Sequence, residues 1–253
     1  MLTNNFMPCN GRFPILIAMI MMFFAGSAFG IVSSIEVALI LLLILLCCVL
    51  LTLAVSKLLS VTIAKGAPSD FALELPPYRK PQIINTVIRS LLDRTLFVLG
   101  RAVIVAAPAG AVIWLTANIR IGDCSVLKYC TDFLDPFGRF IGLDGVIVMA
   151  FILGFPANET VIPIIIMSYM AGGTLMDYSG YPELLRLFSA NGWTVTTAVC
   201  MMVMTVLHFP CSTTCLTIKK ETGSLRWTLL SMLLPTVLGV IACAIIANIT
   251  KLI

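Results

Sequence analysis

Long stretches without a charged residue constrain the fold of this chain more than any other feature. Uncharged apolar runs occupy 13–35, 37–56, 102–119, 187–207 and 227–250. A helix needs about 20 such residues to cross the hydrocarbon core of a bilayer. Charged residues make up 11% of the chain, against about 25% in soluble domains. The sequence therefore predicts an all-α, polytopic helical membrane protein in the lipid bilayer and excludes a water-soluble domain, and its net charge of +4 does not indicate nucleic-acid binding.

The distribution of charge divides the chain into three parts. Basic residues dominate 57–101, so the positive-inside rule places that segment in the cytoplasm. It is a Pro-rich linker followed, over Ile83–Leu99, by apolar residues at the spacing of an amphipathic interfacial helix. Two transmembrane helices are predicted in 1–56. The remainder, 102–253, is predicted to hold a transmembrane helix, an extracytoplasmic acidic loop over Arg120–Asp144, and a last membrane module.

The last module contains an interrupted apolar segment. Residues 145–158 are too few to span a bilayer, and a second uncharged run, 160–176, follows directly. Two arrangements fit: one span broken in its middle, or a re-entrant pair of half-helices that returns to the same face. Broken backbone at membrane depth requires protein or a watery cavity around it. The basic residues Lys219 and Lys220 prefer the cytoplasm, which favours the re-entrant hairpin.

An acidic residue marks the interruption. Glu159 is the only carboxylate inside the apolar part of this module, where a charge costs at least ~2.5–3.5 kcal/mol unless it faces a cavity or partner. We therefore expect Glu159 to be functional, the alternative being a solvated or helix-capping carboxylate at the interface. Asn158 beside it has two roles open, as a metal ligand through its carbonyl oxygen or as a helix cap.

A Pro-Cys pair occurs twice, as Pro8-Cys9 and as Pro210-Cys211, each next to a membrane run. Internal repeats with broken helices build mid-membrane sites in transporters, and thiol together with carboxylate ligands suits a first-row divalent metal such as Fe(II), Zn(II) or Mn(II). Cys9 and Cys211 are therefore candidate metal ligands, although a single membrane cysteine is usually a packing residue. For His208 both a packed ring and a ligand remain open. The first copy lacks the half that precedes the second, so we expect the chain to begin inside a repeat.

Motifs spread along nearly the whole chain resemble one known family. They are Phe6-Met7-Pro8-Cys9-Asn10-Gly11-Arg12-Phe13-Pro14, Leu73-Glu74-Leu75-Pro76-Pro77-Tyr78-Arg79, Gly154-Phe155-Pro156-Ala157-Asn158-Glu159, Phe209-Pro210-Cys211 and Lys219-Lys220-Glu221-Thr222-Gly223-Ser224. In this order they resemble the C-terminal membrane portion of the ferrous-iron transport protein B family, which carries two gate, or nucleoside-recognition, modules. The resemblance implies that 1–56 is the second half of a first gate module and that 102–253 contains the second.

The resemblance also implies a function. It predicts the permeation part of a Fe²⁺ importer in the prokaryotic cytoplasmic (inner) membrane, with Cys9, Glu159 and Cys211 on the metal path and Fe²⁺ as transported substrate. GTP hydrolysis would reside in a G-protein domain on a missing N-terminal half or a separate chain. Nucleotide-binding and hydrolase motifs are absent from this sequence, so we expect no enzyme activity and no resident cofactor. Homo-oligomerisation stays open, and the alternative function is a nucleoside-recognition or permease element without a metal role.

Overall fold

Helices make up nearly all of the structure. The computed structural model describes residues 3–24, 31–62, 83–89, 92, 97–121, 124–170 and 180–252. The α-helices in these ranges are α1 (Phe13–Phe23), α2 (Ile31–Thr62), α3 (Ile83–Arg89), α4 (Phe97–Asn118), α5 (Val126–Phe140), α6 (Gly145–Leu153), α7 (Val161–Met170), α8 (Tyr181–Ala190), α9 (Val195–Leu207), α10 (Ser212–Thr222) and α11 (Leu225–Leu252). Short 3₁₀ turns cover Asn4–Phe6 and Asn158–Thr160, and β1 (Arg120–Ile121) pairs antiparallel with β2 (Cys124–Ser125). The predicted helical fold class is confirmed.

Several helical segments are long and apolar enough to cross a membrane. Within the described ranges they are Ser33–Thr62, Val195–Thr222 and Leu225–Leu252. The second of these consists of α9 and α10 with a break between them. Helix α4 covers the third predicted run and contains Pro108, although several of its side chains lie outside the described residues. The chain is therefore a multi-pass membrane protein, as its sequence predicts.

The first apolar run does not form one span. Helix α1 ends at Phe23, and α2 begins at Ile31 and continues to Thr62, so Glu36 lies inside α2 rather than at a turn between two spans. With 11 residues, α1 is about 16 Å long, half of a bilayer. The helix boundary predicted at Glu36 is therefore wrong, because lack of charge indicates an apolar environment and says nothing about where a helix stops. The residues that join α1 to α2 lie outside the described ranges.

The predicted acidic loop at Arg120–Asp144 is mostly helix α5. Its charged residues were expected to indicate a loop, but Asp135 and Arg139 are one helical turn apart and form an ion pair of 2.6 Å. The Ser125 side chain caps the helix by accepting a hydrogen bond of 3.3 Å from Lys128 N. The segment is therefore a capped helix with one buried face, and the loop assignment is corrected.

The predicted amphipathic helix over Ile83–Leu99 is partly observed. Helix α3 begins at Ile83, the first predicted residue, and is described to Arg89. Residue 92 and the start of α4 at Phe97 are also described, while most of 90–96 and the Pro-rich linker before α3 lie outside the described residues.

The interrupted segment folds back on itself. Asp144 caps the start of α6 by accepting a 2.7 Å hydrogen bond from Ile147 N, and it also accepts a hydrogen bond from the hydroxyl of Tyr169 near the end of α7. A continuous span would separate these two residues by roughly 35 Å. Helices α6 and α7 therefore run antiparallel as two half-helices, the re-entrant alternative. Trp193 Nε1 donates a 2.7 Å hydrogen bond to the same hydroxyl, which ties the hairpin to the segment before α9.

The core lies where the short helices meet. Apolar side chains of α1, α6, α7 and α9 are almost completely buried there, among them Leu16, Ile147, Ile165 and Met201. By contrast, α2 and α11 expose large apolar side chains along their length. In a membrane protein this arrangement places the half-helices inside and the long helices against lipid. The buried half-helices carry the breaks that form the candidate site.

Candidate functional site

Two of the helix breaks are joined by backbone hydrogen bonds. Helix α9 ends at Leu207 because Pro210 cannot continue it, and the chain is extended at His208 and Cys211 before α10 begins. Ser212 N, at the start of α10, donates a 2.9 Å hydrogen bond to Phe155 O in the break between α6 and α7. A backbone amide of one break therefore supplies the hydrogen bond that a carbonyl group of the other break needs.

Arg12 joins the first Pro-Cys motif to the second. It is 1% exposed, and among the described residues no other charged side chain is buried. Its guanidinium donates hydrogen bonds to the carbonyl groups of Val206 at 3.0 Å, His208 at 3.2 Å and Phe209 at 3.3 Å. It also donates to Asn5 O at 2.9 Å and to Asn5 Oδ1 at 3.2 Å. The planar five-donor guanidinium suits this task, since a helix that ends inside protein leaves carbonyl groups without a donor.

His208 fixes the amide of Asn158. Its Nδ1 lies 2.9 Å from Thr205 O and 3.1 Å from Met204 O, so in a neutral ring Nδ1 carries the hydrogen and Nε2 accepts. Nε2 is 3.1 Å from Asn158 Oδ1, and Asn158 Nδ2 is 3.8 Å from Cys9 Sγ. An accepting Nε2 needs a donor, and exchanging the amide O and N of Asn158 supplies it. We therefore assign the amide nitrogen to His208 and the carbonyl oxygen to the side facing Cys9.

A cavity of about 650 Å³ opens where these elements meet. Its lining comprises the residues Thr3, Asn4, Asn5, Met7, Pro8, Cys9, Arg12, Thr52, Asn158, Cys211, Thr214, Thr217, Ile218 and Glu221. Three of the four predicted site residues, Cys9, Asn158 and Cys211, thus share one cavity although they come from distant parts of the chain. The prediction that the two Pro-Cys motifs act together stays a prediction, but the fold places them side by side.

Glu159 borders the cavity without lining it. Its side chain is exposed, and its Oε2 lies 3.1 Å from the position that a Cβ on Gly11 would occupy. The same position is 3.9 Å from Cys9 Sγ. The absence of a side chain at Gly11 therefore lets the carboxylate approach the first Pro-Cys motif.

The two candidate thiols have different surroundings. Cys211 Sγ lies 3.1 Å from Thr213 Oγ1 and 3.2 Å from Thr214 Oγ1, whereas Cys9 is exposed. Cys215, one turn after Cys211, is buried and donates to Pro210 O at 3.5 Å, which makes it a packing residue. Among the residues that the structure describes, no three His, Cys, Asp or Glu side chains are close enough to hold a metal ion together. The donors are dispersed along a cavity and do not form a closed site.

Comparison with known families places the chain among membrane gates. The family profile Gate, described as nucleoside recognition, matches residues 99–225, half of the chain. The chain belongs to the gate family. A second profile, described as ferrous iron transport protein B C terminus, matches residues 41–93 of this gate-family chain. The gate match includes Asn158, Glu159 and Cys211, while Cys9 precedes both matched ranges.

Curated relatives of the gate-family chain carry one name, Fe(2+) transporter FeoB. The relative from Staphylococcus aureus (strain MSSA476) is 28% identical over 240 residues, which cover 92% of this chain and 33% of the relative. Those from Campylobacter jejuni and Methanocaldococcus jannaschii are each 24% identical and cover 98% and 99% of this chain, and 41% and 37% of their own lengths. The chain thus spans about a third of the first relative's length and corresponds to its C-terminal membrane part. The resemblance to ferrous-iron transport protein B is confirmed, and no solved structure matches the chain.

Sequence reasoning missed part of the gate-family site. Arg12 and Glu221 enter the sequence interpretation only as members of the family-like motifs, with a role assigned to neither. The cavity-lining residues Cys211, Thr214, Thr217 and Glu221 recur every three or four positions along α10. That spacing puts them on one helix face, so a helical wheel of residues 211–221 could have found them. The contacts of Arg12 link residues about 200 positions apart, and no local pattern predicts these.

Proposed function

We propose that this gate-family chain is the membrane-permeation part of a ferrous-iron transporter and passes Fe²⁺ across the cytoplasmic membrane of a prokaryote. One observation supports the proposal above all others. Two Pro-Cys motifs from opposite ends of the chain, one before α1 and one at the break between α9 and α10, line a single cavity together with Asn158 from the re-entrant hairpin. Broken helices at a shared cavity are the arrangement with which membrane transporters form ion sites.

The chemistry of the lining suits Fe²⁺ better than hard cations. Thiolate sulfur at Cys9 and Cys211 favours first-row transition metals, while Mg²⁺ and Ca²⁺ prefer oxygen ligands only. The carbonyl oxygen of Asn158 adds a neutral ligand between the two motifs. Because these donors are dispersed, each binds the ion weakly, and weak successive sites let an ion leave as readily as it enters.

We further propose a path along α10. Glu159 lies at the first Pro-Cys motif and attracts the hydrated cation. Cys9 and Cys211 replace part of its water shell, and the hydroxyl groups of Thr214 and Thr217 then lead to Glu221 at the far end of the cavity. The positive charge of buried Arg12 opposes entry of a cation. Negative charge on the thiolates and carboxylates must therefore outweigh it.

The driving force would come from outside this chain. The relatives are about three times as long, and we propose that a G-protein domain, covalently linked or separate, hydrolyses GTP to drive or gate the passage. This chain itself would bind no nucleotide and catalyse no reaction. The rival function, nucleoside recognition without a metal role, has only the description of the gate family in its favour.

Metal binding by the purified chain tests the proposal. We expect anaerobic titration with Co²⁺, a spectroscopic substitute for Fe²⁺, to produce thiolate-to-metal charge-transfer absorption that Fe²⁺ abolishes by competition. The double variant Cys9→Ser/Cys211→Ser should lose this absorption. Cys47→Ser, which removes an exposed free thiol on α2, is the matched control and should keep it. Equal absorption in both variants, or binding of a nucleoside in place of either metal, would contradict the proposed function.

A further inference from the structure

Helix α5 exposes a row of aromatic rings. Tyr129, Phe133, Phe137 and Phe140 are all exposed, Phe133 to 84%. Their spacing of four, four and three residues places them on one face of the helix. Four neighbouring aromatic side chains that face outward form an apolar patch, and exposure of such a patch to water is unfavourable.

The other two faces of α5 have different neighbours. Leu127, Thr131 and Gly138 are buried against the protein. The charged residues occupy a third face and comprise Lys128, Asp132, Asp135 and Arg139. A helix with one face to protein, one charged and one aromatic fits the boundary between water and lipid. If α5 entered the bilayer along its whole length, all four charges would enter hydrocarbon at a cost of several kcal/mol.

The joint to α6 sets the orientation of α5. Helix α5 ends at Phe140, α6 begins at Gly145, and the two axes meet at 109°. The joint is close-packed: a Cβ at Gly145 would collide with the Thr131 carbonyl group, and Gly145 N donates to Asp135 Oδ1 at 3.2 Å. Since α6 is an apolar arm of the re-entrant hairpin and enters the bilayer, α5 lies close to the plane of the membrane.

An apolar groove adjoins the aromatic face. It has a volume of about 350 Å³ and lies between α5 and α6, with Tyr129, Cys130, Phe133, Leu134 and Met149 as its lining. Its walls are almost entirely apolar, and it opens outward beside the aromatic row. A segment of a lipid acyl chain has the apolar chemistry to occupy such a groove.

From these observations we propose that α5 is an interfacial helix that lays its aromatic face on the bilayer and holds a lipid acyl chain in the groove between α5 and α6. Aromatic rings are enriched at the membrane interface, and the groove that Tyr129 and Phe133 share with Met149 puts this face on the side of α5 along which α6 enters the bilayer. The proposal is independent of the transported substrate. A second copy of this chain covering the same face is the competing occupant.

Tryptophan fluorescence in vesicles distinguishes these occupants. Phe133→Trp adds a reporter on the aromatic face, Asp132→Trp adds one on the charged face, and the parent's three Trp residues give the background. In phosphatidylcholine vesicles brominated near the carboxyl end of the acyl chains, we expect loss of the added emission of Phe133→Trp only. Quenching of both variants by aqueous acrylamide would overturn the proposal. Protection of Phe133→Trp from both quenchers would also overturn it and indicate a second copy.

A photoactivatable phosphatidylcholine, with a diazirine on its acyl chain, tests the groove. We expect cross-links to the peptide that contains α5 and α6 in the full chain. Leu134→Trp fills the groove and should abolish them, whereas Phe137→Trp, on the aromatic face outside the groove, should leave them unchanged. Unfolding temperatures equal to that of the parent confirm that both variants fold. Equal labelling of the two variants would remove the groove from the proposal.

Discussion

At the scale of single residues, Arg12 connects the parts of the site. Its guanidinium binds three carbonyl groups at the end of α9 and holds the turn that precedes α1 against them. A charge buried to 99% normally needs a strong reason. Here the reason is the set of carbonyl groups exposed by the break before Pro210, which need donors inside the protein.

Arg12→Ala should therefore destabilise the fold strongly. Each buried carbonyl group left without a donor costs about 1–3 kcal/mol, so we expect a marked fall in the unfolding temperature in detergent. Arg139→Ala, which breaks the exposed ion pair with Asp135, is the control and should change stability by only about 0–1 kcal/mol. Equal unfolding temperatures for the two variants would show that Arg12 is not structural.

His208 acts on the site through Asn158. His208→Leu removes the acceptor that orients the amide, so we expect Fe²⁺ affinity to fall by about 10–100-fold, as for other residues that orient metal ligands. Competition with a coloured Fe²⁺ chelator measures this affinity. Asn158→Ala added to His208→Leu should cause little further loss, since the two residues act as a unit. If the losses of Fe²⁺ affinity in the two single variants added up fully in the double variant, His208 would not act through Asn158.

At the scale of elements, a hydrogen bond joins the two ends of the re-entrant hairpin. Asp144 at the start of α6 and Tyr169 near the end of α7 are hydrogen-bonded, and Trp193 donates to the same hydroxyl. Stacking of Phe188 on Trp193, with ring centroids 4.2 Å apart, supports this end of the hairpin. Both ends of the hairpin therefore belong to the same face of the membrane.

Thiol labelling in intact cells tests that arrangement. We expect Tyr181→Cys, just beyond the hairpin, and Ser125→Cys, at the start of α5, to react with a membrane-impermeant maleimide from the same side of the membrane. The parent protein gives the background from its native cysteines. Labelling of the two positions from opposite sides would mean that residues 145–170 cross the membrane as one broken span.

The elements also show what the sequence could predict and why the rest escaped it. Apolar runs identified the membrane helices because burial in lipid requires long uncharged segments. The same criterion failed over 13–35, where a half-helix ends inside an uncharged run. At Arg120–Asp144 residue counts indicated a loop, while Val126–Phe140 forms the capped helix α5, one face of which is buried. Helix ends are set by capping and tertiary contacts, which composition does not contain.

The sequence likewise predicts some residues of the candidate site and misses others. Repetition of Pro-Cys predicted a shared role for Cys9 and Cys211, and the structure brings both to one cavity with Asn158. The positions of Arg12 and His208 depend on contacts between residues far apart in sequence. Only folding creates these contacts, so no motif reveals them.

At the scale of the whole molecule, polar groups lie inside and apolar helices outside. The breaks, Arg12 and the cavity are surrounded by half-helices, while α2 and α11 present leucine and isoleucine side chains outward. This arrangement suits a membrane protein, because the backbone groups at helix breaks need hydrogen-bond partners that lipid cannot supply. The chain spans about a third of its first relative, and the uptake experiment below therefore supplies the proposed G-protein domain as a separate polypeptide.

Uptake of radiolabelled Fe²⁺ by an iron-import-deficient bacterium tests the central claim most directly. The cells would express this chain together with a separate G-protein domain, as the parent, as Cys9→Ser/Cys211→Ser, or as Cys47→Ser. We predict uptake with the parent and with Cys47→Ser, and its loss in the double variant at equal amounts of protein in the membrane. Equal uptake by the double variant and the parent, or no uptake by any of the three, would contradict the account.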